Sequence, residues 1–302
     1  MAITGVVGGG LTNASTFFNS FIPEVWTEGI RYYFQKNLIL AGLSTDWSDQ
    51  VSNSGDTIHM PRINEQSADS KSVHTAISWS TNATDESKDD LVVDKHHYAG
   101  MLIEDVARVQ ASDDLMAKYT QELGYALAKK IEVTVEAGFE TYADNSIELA
   151  ASSTGIMAKA DLGTMIKTLA QNDIDYLDGN TYLVLSPTTY AGLFSSDDFV
   201  RADAIGDSNM SSFSRITGFC GKIGGLPVFL SNVVGTASAA TYGYLFHKSF
   251  NNIAFSVQPR VQNDYDIDYL GTKVVTDAVW GWMGKDENTA SSRRCWKILD
   301  AS

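Results

Sequence analysis

Apolar residues recur every four positions from Leu115 through Tyr119, Leu123, Leu127, Ile131 and Val135 to Phe139. Four residues slightly overshoot one 3.6-residue turn, so this spacing predicts a long helix with one buried, gently winding side. The helix is expected over about residues 112–143, a length of about 45 Å. Ser112 can cap it, with Asp113 and Asp114 in the positive first turn. The Tyr and Phe of the stripe are read as core.

Upstream the period changes to two. Residues 55–63, Gly-Asp-Thr-Ile-His-Met-Pro-Arg-Ile, alternate as a strand, and Leu91 to Tyr98 read as a second one. The polar stretch between them carries only Val73, Ile77 and Trp79 as large apolar residues, all at odd positions. So long a polar connection is unusual inside a compact domain. It predicts an extended two-stranded hairpin that projects from the body. A lone hairpin is marginal in water, so its support is expected on another subunit. Residues 1–22 are Gly-, Ser- and Thr-rich and read as a loose arm. After them Pro23 opens a helix, with Ile22, Trp26, Ile30 and Tyr33 or Phe34 at helical spacing and Gly42 as its stop. So much aromatic surface on one helix wants a partner.

Downstream, residues 160–174 read as a helix with Leu162, Met165, Ile166 and Leu169 inward. The continuous apolar run Tyr182-Leu183-Val184-Leu185 fits a fully buried strand. Ser186-Pro187 ends it, and a helix through Tyr190 and Leu193 follows. Residues 197–214 read as a polar surface loop. Gly218 to Asn232 read as turn, strand, turn, strand. The rest is strand-rich: residues 244–246, 253–257, 273–275 and 278–282. No fixed-period repeat is present. The fold class is α+β.

The chain has 302 residues, 44% of them hydrophobic and 20% charged, enough for a real core and two or three compact units. No apolar run approaches the roughly 20 residues of a membrane span. The start, MAITGVVGGGLTNAS, does not read as a signal peptide. Two cysteines, Cys220 and Cys295, are too few for a disulfide framework. The sequons at Asn13, Asn82 and Asn209 then read as chance. The net charge of −15 and a pI near 4.6 argue against nucleic-acid binding, which is driven by Lys and Arg displacing counterions. Strong negative charge also suits a subunit that stays soluble until it assembles.

Candidate chemistry is thin. His96 and His97 lie in a strand and point to opposite faces, so they do not form one metal site. Asp94 shares a face with His96, but no third ligand is visible. Gly218 to Gly225 departs from the phosphate-loop spacing and has no Ser or Thr after Lys222, so it reads as a turn with positive φ angles. A nucleophile pair of Cys220 with His247 lacks any surrounding signature. Asp113-Asp114 and Asp197-Asp198 sit at a helix start and in a polar loop. No catalytic, cofactor-binding or metal residues are assigned, and no enzyme is expected.

Taken in order, these elements resemble the major capsid proteins of tailed bacteriophages, the Hong Kong 97-like fold. The resemblance runs from Ile22-Pro23-Glu24-Val25-Trp26 through Gly55 to Pro61, the return at Leu91 to Tyr98 with Ile103-Glu104-Asp105, and the stripe Leu115 to Phe139, similar to a spine helix. It continues through Tyr182 to Pro187 and Pro227-Val228-Phe229-Leu230-Ser231-Asn232. Each motif is short, and their collinearity carries the likeness. It implies an N-terminal arm over 1–52 and an extended loop over 53–98. It further implies a peripheral domain over 99–157 and 237–302 and an axial domain over 158–236. It also implies hexamers and pentamers closing into an icosahedral head around double-stranded DNA, held without sequence-specific binding. With the family-like helix starting near residue 22, there is no room for a long cleaved scaffolding segment, so a separate scaffold protein is expected, together with a portal. No membrane partner is expected, and assembly is expected in the bacterial cytoplasm. Lys71 and Lys88 lie on the loop, but nothing in the sequence specifies a cross-link. The residues expected at subunit interfaces are Trp26, Tyr33, Phe34, Val73, Ile77 and Trp79. Two alternatives are an encapsulin-like compartment shell on the same fold and a soluble α/β hydrolytic enzyme built around residues 160–235.

Overall fold

The computed structural model describes residues 39–51, 55–63, 68, 70–77, 86–105, 115–143, 145–149, 157, 159–172, 174–193, 219–284 and 294–300. The expected arm helix with Trp26, Tyr33 and Phe34, the cap at Ser112, the loop over 197–214 and Trp79 lie outside them.

The four-residue stripe forms helix α2, Leu115–Tyr142, preceded among the described residues only by a short helix α1, Ser48–Val51. Leu123, Leu127, Ile131, Val135 and Phe139 are all buried, as a stripe facing a core requires. One side of α2 covers a four-stranded sheet of order β1-β10-β11-β4. Its strands are β1 (Thr45–Asp46), β4 (Lys95–Glu104), β10 (Asn251–Asp266) and β11 (Gly271–Gly284). The short apolar runs expected at 253–257, 273–275 and 278–282 are parts of the two long strands β10 and β11. The polar residues that interrupt them in sequence are paired. Thr276 donates to the Ala99 carbonyl at 3.3 Å, and Asp277 accepts from Arg260 at 2.9 and 3.1 Å.

Six strands build the second sheet: β5 (Asn145–Leu149), β6 (Thr181–Leu185), β7 (Phe219–Ile223), β8 (Leu226–Leu230), β9 (Thr241–His247) and β12 (Cys295–Asp300). Their order is β5-β12-β9-β6-β8-β7. All five residues of β6 are buried, as its unbroken apolar run demands. Helix α3 (Lys159–Gln171) covers this sheet through Leu162, Met165 and Leu169, and α4 (Pro187–Leu193) follows β6. The sheet does not respect the boundaries of the expected axial unit. The described residues of 158–236 supply β6, β7 and β8, whereas β5, β9 and β12 come from stretches expected in the peripheral unit. Backbone pairing decides this: Leu183 is opposite Leu245, and Trp296 is opposite Leu245 from the other side.

The strand expected over 91–98 is two strands. β2 (Thr57–Ile63) pairs antiparallel with β3 (Glu86–Val92), while β4 leaves to pair with β11. The crossing needs a close approach. A Cβ on Gly281 would lie 2.2 Å from the Val92 carbonyl oxygen, so the chain passes β11 where a glycine leaves room for it. The Val93 amide there donates to the Asp56 carbonyl at 2.7 Å. Of the expected arm, residues 39–51 belong to the body. β1 pairs in parallel with β10, and the Leu43 amide donates to the Ile39 carbonyl at 3.0 Å, in a turn where the arm helix was expected to stop.

Candidate assembly surface

The β2–β3 hairpin is rooted and then exposed. Ile58, Met60 and Leu91 are buried with Val51 and Ala254, which anchors its base on the four-stranded sheet. Higher up, Asp90 takes His59 on one oxygen and Lys88 at 3.2 Å on the other. The hydrogen bond from His59 is the largest influence holding the Asp90 carboxyl below its ordinary range. Farther along, the Thr75 amide and hydroxyl both donate to the Ser72 carbonyl, at 3.3 and 2.7 Å. His74 adopts a φ of 65° in that turn. The turn holds Val73 out at 83% exposure, and Ile77 is 57% exposed. Both are large apolar side chains left exposed to water. Val73 and Ile77 both lie in the connection between β2 and β3.

A second exposed apolar group was missed by sequence reasoning. The turn between β10 and β11 presents Ile267, Tyr269 and Leu270, with Tyr265 beside them, all exposed. Asp266 and Lys273 form an ion pair across its base, and the Lys273 ammonium lies 5.7 Å from the Tyr269 ring centre. The signal in the sequence was Ile-Asp-Tyr-Leu between two alternating runs, a turn with too much apolar surface.

The spine helix carries three glutamates that the apolar stripe concealed. Glu132, Glu136 and Glu140 follow one another at single-turn spacing. Glu132 is fully buried and accepts the amides of Ile39, Leu40 and Ala41 at 2.7, 2.6 and 2.9 Å. Glu136 accepts from the Ala237 amide at 3.0 Å and from the Tyr244 hydroxyl at 3.2 Å. Glu140 accepts from Thr241 at 2.9 Å and Tyr244 at 3.2 Å, and Lys297 approaches it at 3.4 Å. Burial raises the carboxyl pKa of Glu132 and of Glu136 against the hydrogen bonds that hold them down. Burial, with Glu136 and Glu140 alongside, also pushes the Tyr244 hydroxyl up. The ladder ties the start of the body, the 231–241 connection and the six-stranded sheet to one helix. Its chemistry is fastening.

The residues considered for catalysis do not converge. His247 on β9 faces Ser249 at 2.7 Å and Asp178 at 3.2 Å, while Cys220 on β7 is three strands away across the sheet. His96 bonds Asp277 at 3.2 Å, and His97 turns to the other face and lies edge-on to Trp280, its ring centre 5.6 Å from that of Trp280. Gly224 and Gly225 form the β7–β8 turn with φ of 59° and 93°, a hairpin turn as the glycines suggest. Among the described residues no three His, Cys, Asp or Glu side chains are grouped to hold a metal ion, and no helix is long and apolar enough to cross a membrane.

A spine helix across a long antiparallel sheet, a rooted projecting hairpin and a six-stranded second sheet define a Hong Kong 97-like coat-protein fold. Solved phage structures share it. A chain of Mycobacterium phage Che8 matches with a TM-score of 0.69 and 20% identity, covering 93% of this chain and 98% of that one. A capsid chain of cyanophage P-SCSP1u matches at 0.71 and 17%, covering 94% of each. One from the mature capsid of bacteriophage PhiM1 matches at 0.67 and 14%, covering 93% of each. No curated protein matches significantly in sequence. The profile of the phage capsid protein family matches residues 91–287, well over half of the chain. The chain belongs to that family. It is a structural protein, a major capsid subunit of the virion that works by assembling with itself, and not an enzyme.

Proposed function

We propose that this subunit forms hexamers and pentamers that close into an icosahedral phage head around double-stranded DNA. The observation that carries the reading is the rooted hairpin with Val73 and Ile77 left uncovered at its outer part. Each subunit lays this hairpin on a neighbour, where Val73, Ile77 and Trp79 lose their water. The arm, through Trp26, Tyr33 and Phe34, brings further apolar surface to the same boundaries. The six-stranded sheet with α3 is the axial unit, and the four-stranded sheet with α2 is the peripheral one. The β10–β11 turn, with Ile267, Tyr269 and Leu270, gives the peripheral unit its own contact. Single contacts of this kind are modest, and a closed shell multiplies them.

A net charge of −15 suits a wall against which packed DNA does not stick. Assembly takes place in the host cytoplasm with a separate scaffold protein and a portal. The test is to express the chain alone and with its neighbouring genes and to measure size by sedimentation and electron microscopy. Closed shells or capsomer-sized rings support the reading. A monomer under every condition, with the neighbouring proteins present, overturns it.

A further inference from the structure

Two glutamates of the spine helix meet one phenol. The Tyr244 hydroxyl oxygen on β9 lies 3.2 Å from Glu136 Oε1 and 3.2 Å from Glu140 Oε2. The distances are equal, so neither carboxyl is the sole partner. A phenol carries one proton, and an ionised carboxyl carries none. With both glutamates ionised, one of the two contacts would set lone pair against lone pair. Tyr244 and Glu136 are fully buried, so bulk water does not relieve that clash. Burial, with the two carboxyls alongside, pushes the Tyr244 hydroxyl up, so the phenol keeps its proton and supplies only that one. Filling both contacts takes a second proton.

We propose that Glu136 binds this second proton, in a relay where Glu136 Oε1–H donates to Tyr244 and Tyr244 donates to Glu140. The partners of each carboxyl decide which one is protonated. Glu140 Oε1 faces the Lys297 ammonium at 3.4 Å, and Glu140 Oε2 also accepts from Thr241 at 2.9 Å. Both draw the negative charge to Glu140. Glu136 Oε2 is taken by the Ala237 amide at 3.0 Å, which leaves Oε1, the oxygen facing Tyr244, for the proton. The remaining neighbours bring Glu136 no cation. Glu132, one turn away on the helix, is bound to three amides. On β12, burial pushes the Cys295 thiol up, so it stays uncharged. Residues 231–241 contain no ionisable side chain. Burial raises the Glu136 carboxyl, in the direction that the relay requires.

The proton is then part of the joint between the spine helix and the six-stranded sheet. When it leaves, one contact of Tyr244 must open. Glu140 keeps Thr241 and Lys297, so Tyr244 turns to Glu136 and lets Glu140 go. Of its two bonds from β9, Glu140 then retains only that from Thr241. The joint is fully bonded while the proton is held and loses a bond as pH rises past its release. The inference concerns the single chain and does not depend on shell formation.

The experiment is a pH titration of the full, unassembled chain carrying 13C-labelled glutamate and tyrosine, read by NMR. The carboxyl signal that Glu136→Gln removes should titrate above those of the exposed glutamates. The Tyr244 ring carbon that bears the hydroxyl should shift with the same midpoint. Glu140→Gln removes the competing acceptor, so Glu136 should release its proton about tenfold more readily. In a Tyr244→Phe background that change should largely vanish, because the coupling runs through the phenol. A Glu136 signal that titrates with the exposed carboxyls would overturn the proposal. So would a response to Glu140→Gln of equal size with and without the phenol, which would mean charge repulsion alone. Should the double variant not fold, the parent decides: a Tyr244 signal that ignores the Glu136 titration refutes the relay.

Discussion

Replacing Glu132 tests what fastens the start of the body. In Glu132→Ala three amides, those of Ile39, Leu40 and Ala41, lose an acceptor held at 2.6–2.9 Å. Ile39 and Leu40 are at most 1% exposed, so water does not reach their amides without movement. Each buried amide left without a partner costs about 1–3 kcal/mol. The loss should therefore be about 3–9 kcal/mol unless the segment detaches, which would expose Ile39, Leu40 and Leu43 at about 1.5–3 kcal/mol each, about 4.5–9 kcal/mol in all. Both routes end in the same range. Glu132→Gln keeps an oxygen for Ile39 and Leu40 and turns an NH2 toward the half-buried Ala41 amide. It also removes the cost of burying a charge, so its loss should be about 1–2 kcal/mol. Urea unfolding of the unassembled subunit gives both values, and hydrogen exchange at residues 39–41 localises them. An Ala variant within about 0.5 kcal/mol of the parent, with exchange at those amides unchanged, would refute the argument.

Glu136 gives a pH signature. Its carboxyl is raised by burial above the ordinary value of 4.5, so its contribution to stability is fully present below that value and is lost as pH rises through the raised one. Stability should fall as pH rises above 4.5, and Glu136→Gln should flatten that slope in pH-dependent urea melts. Gly281→Ala places a methyl against the Val92 carbonyl and should cost about 1–3 kcal/mol by overpacking, read as a lowered midpoint. Val73→Asp with Ile77→Asp should leave the melting of the free subunit unchanged and abolish shells in sedimentation. Shells formed at normal yield would sink the loop contact.

The spine helix was legible because its stripe is long and keeps one period, and β6 because an unbroken apolar run of four has few other places to go. Sheet membership was not legible. Nothing local in Ile147 or Ile298 says that they pair in register with each other across the width of the chain, since such pairing is fixed by non-local backbone bonds. The split between β3 and β4 was hidden for the same reason: Val93 and Asp94 look like strand, and the glycine that leaves room for the crossing, Gly281, is far along the sequence.

The glutamate ladder shows a different blindness. In a helix, Glu at positions 132, 136 and 140 reads as a solvated face, because free charges are rarely buried. Here the face beside the apolar stripe is covered by segments that bring donors and little counter-charge: three amides to Glu132, an amide and a phenol to Glu136, and Lys297 only at Glu140. Backbone donors are invisible to composition. A polar contact also has direction, which an apolar face lacks. Leu127 and Ile131 would accept many neighbours, but Glu132 accepts only a chain that arrives with consecutive amides pointing at it. The ladder therefore holds residues 39–41 and the six-stranded sheet to the helix by bonds of fixed direction. In a subunit that assembles with copies of itself, a small error in the fold would be repeated with every copy, so a directional fastening is worth its desolvation cost.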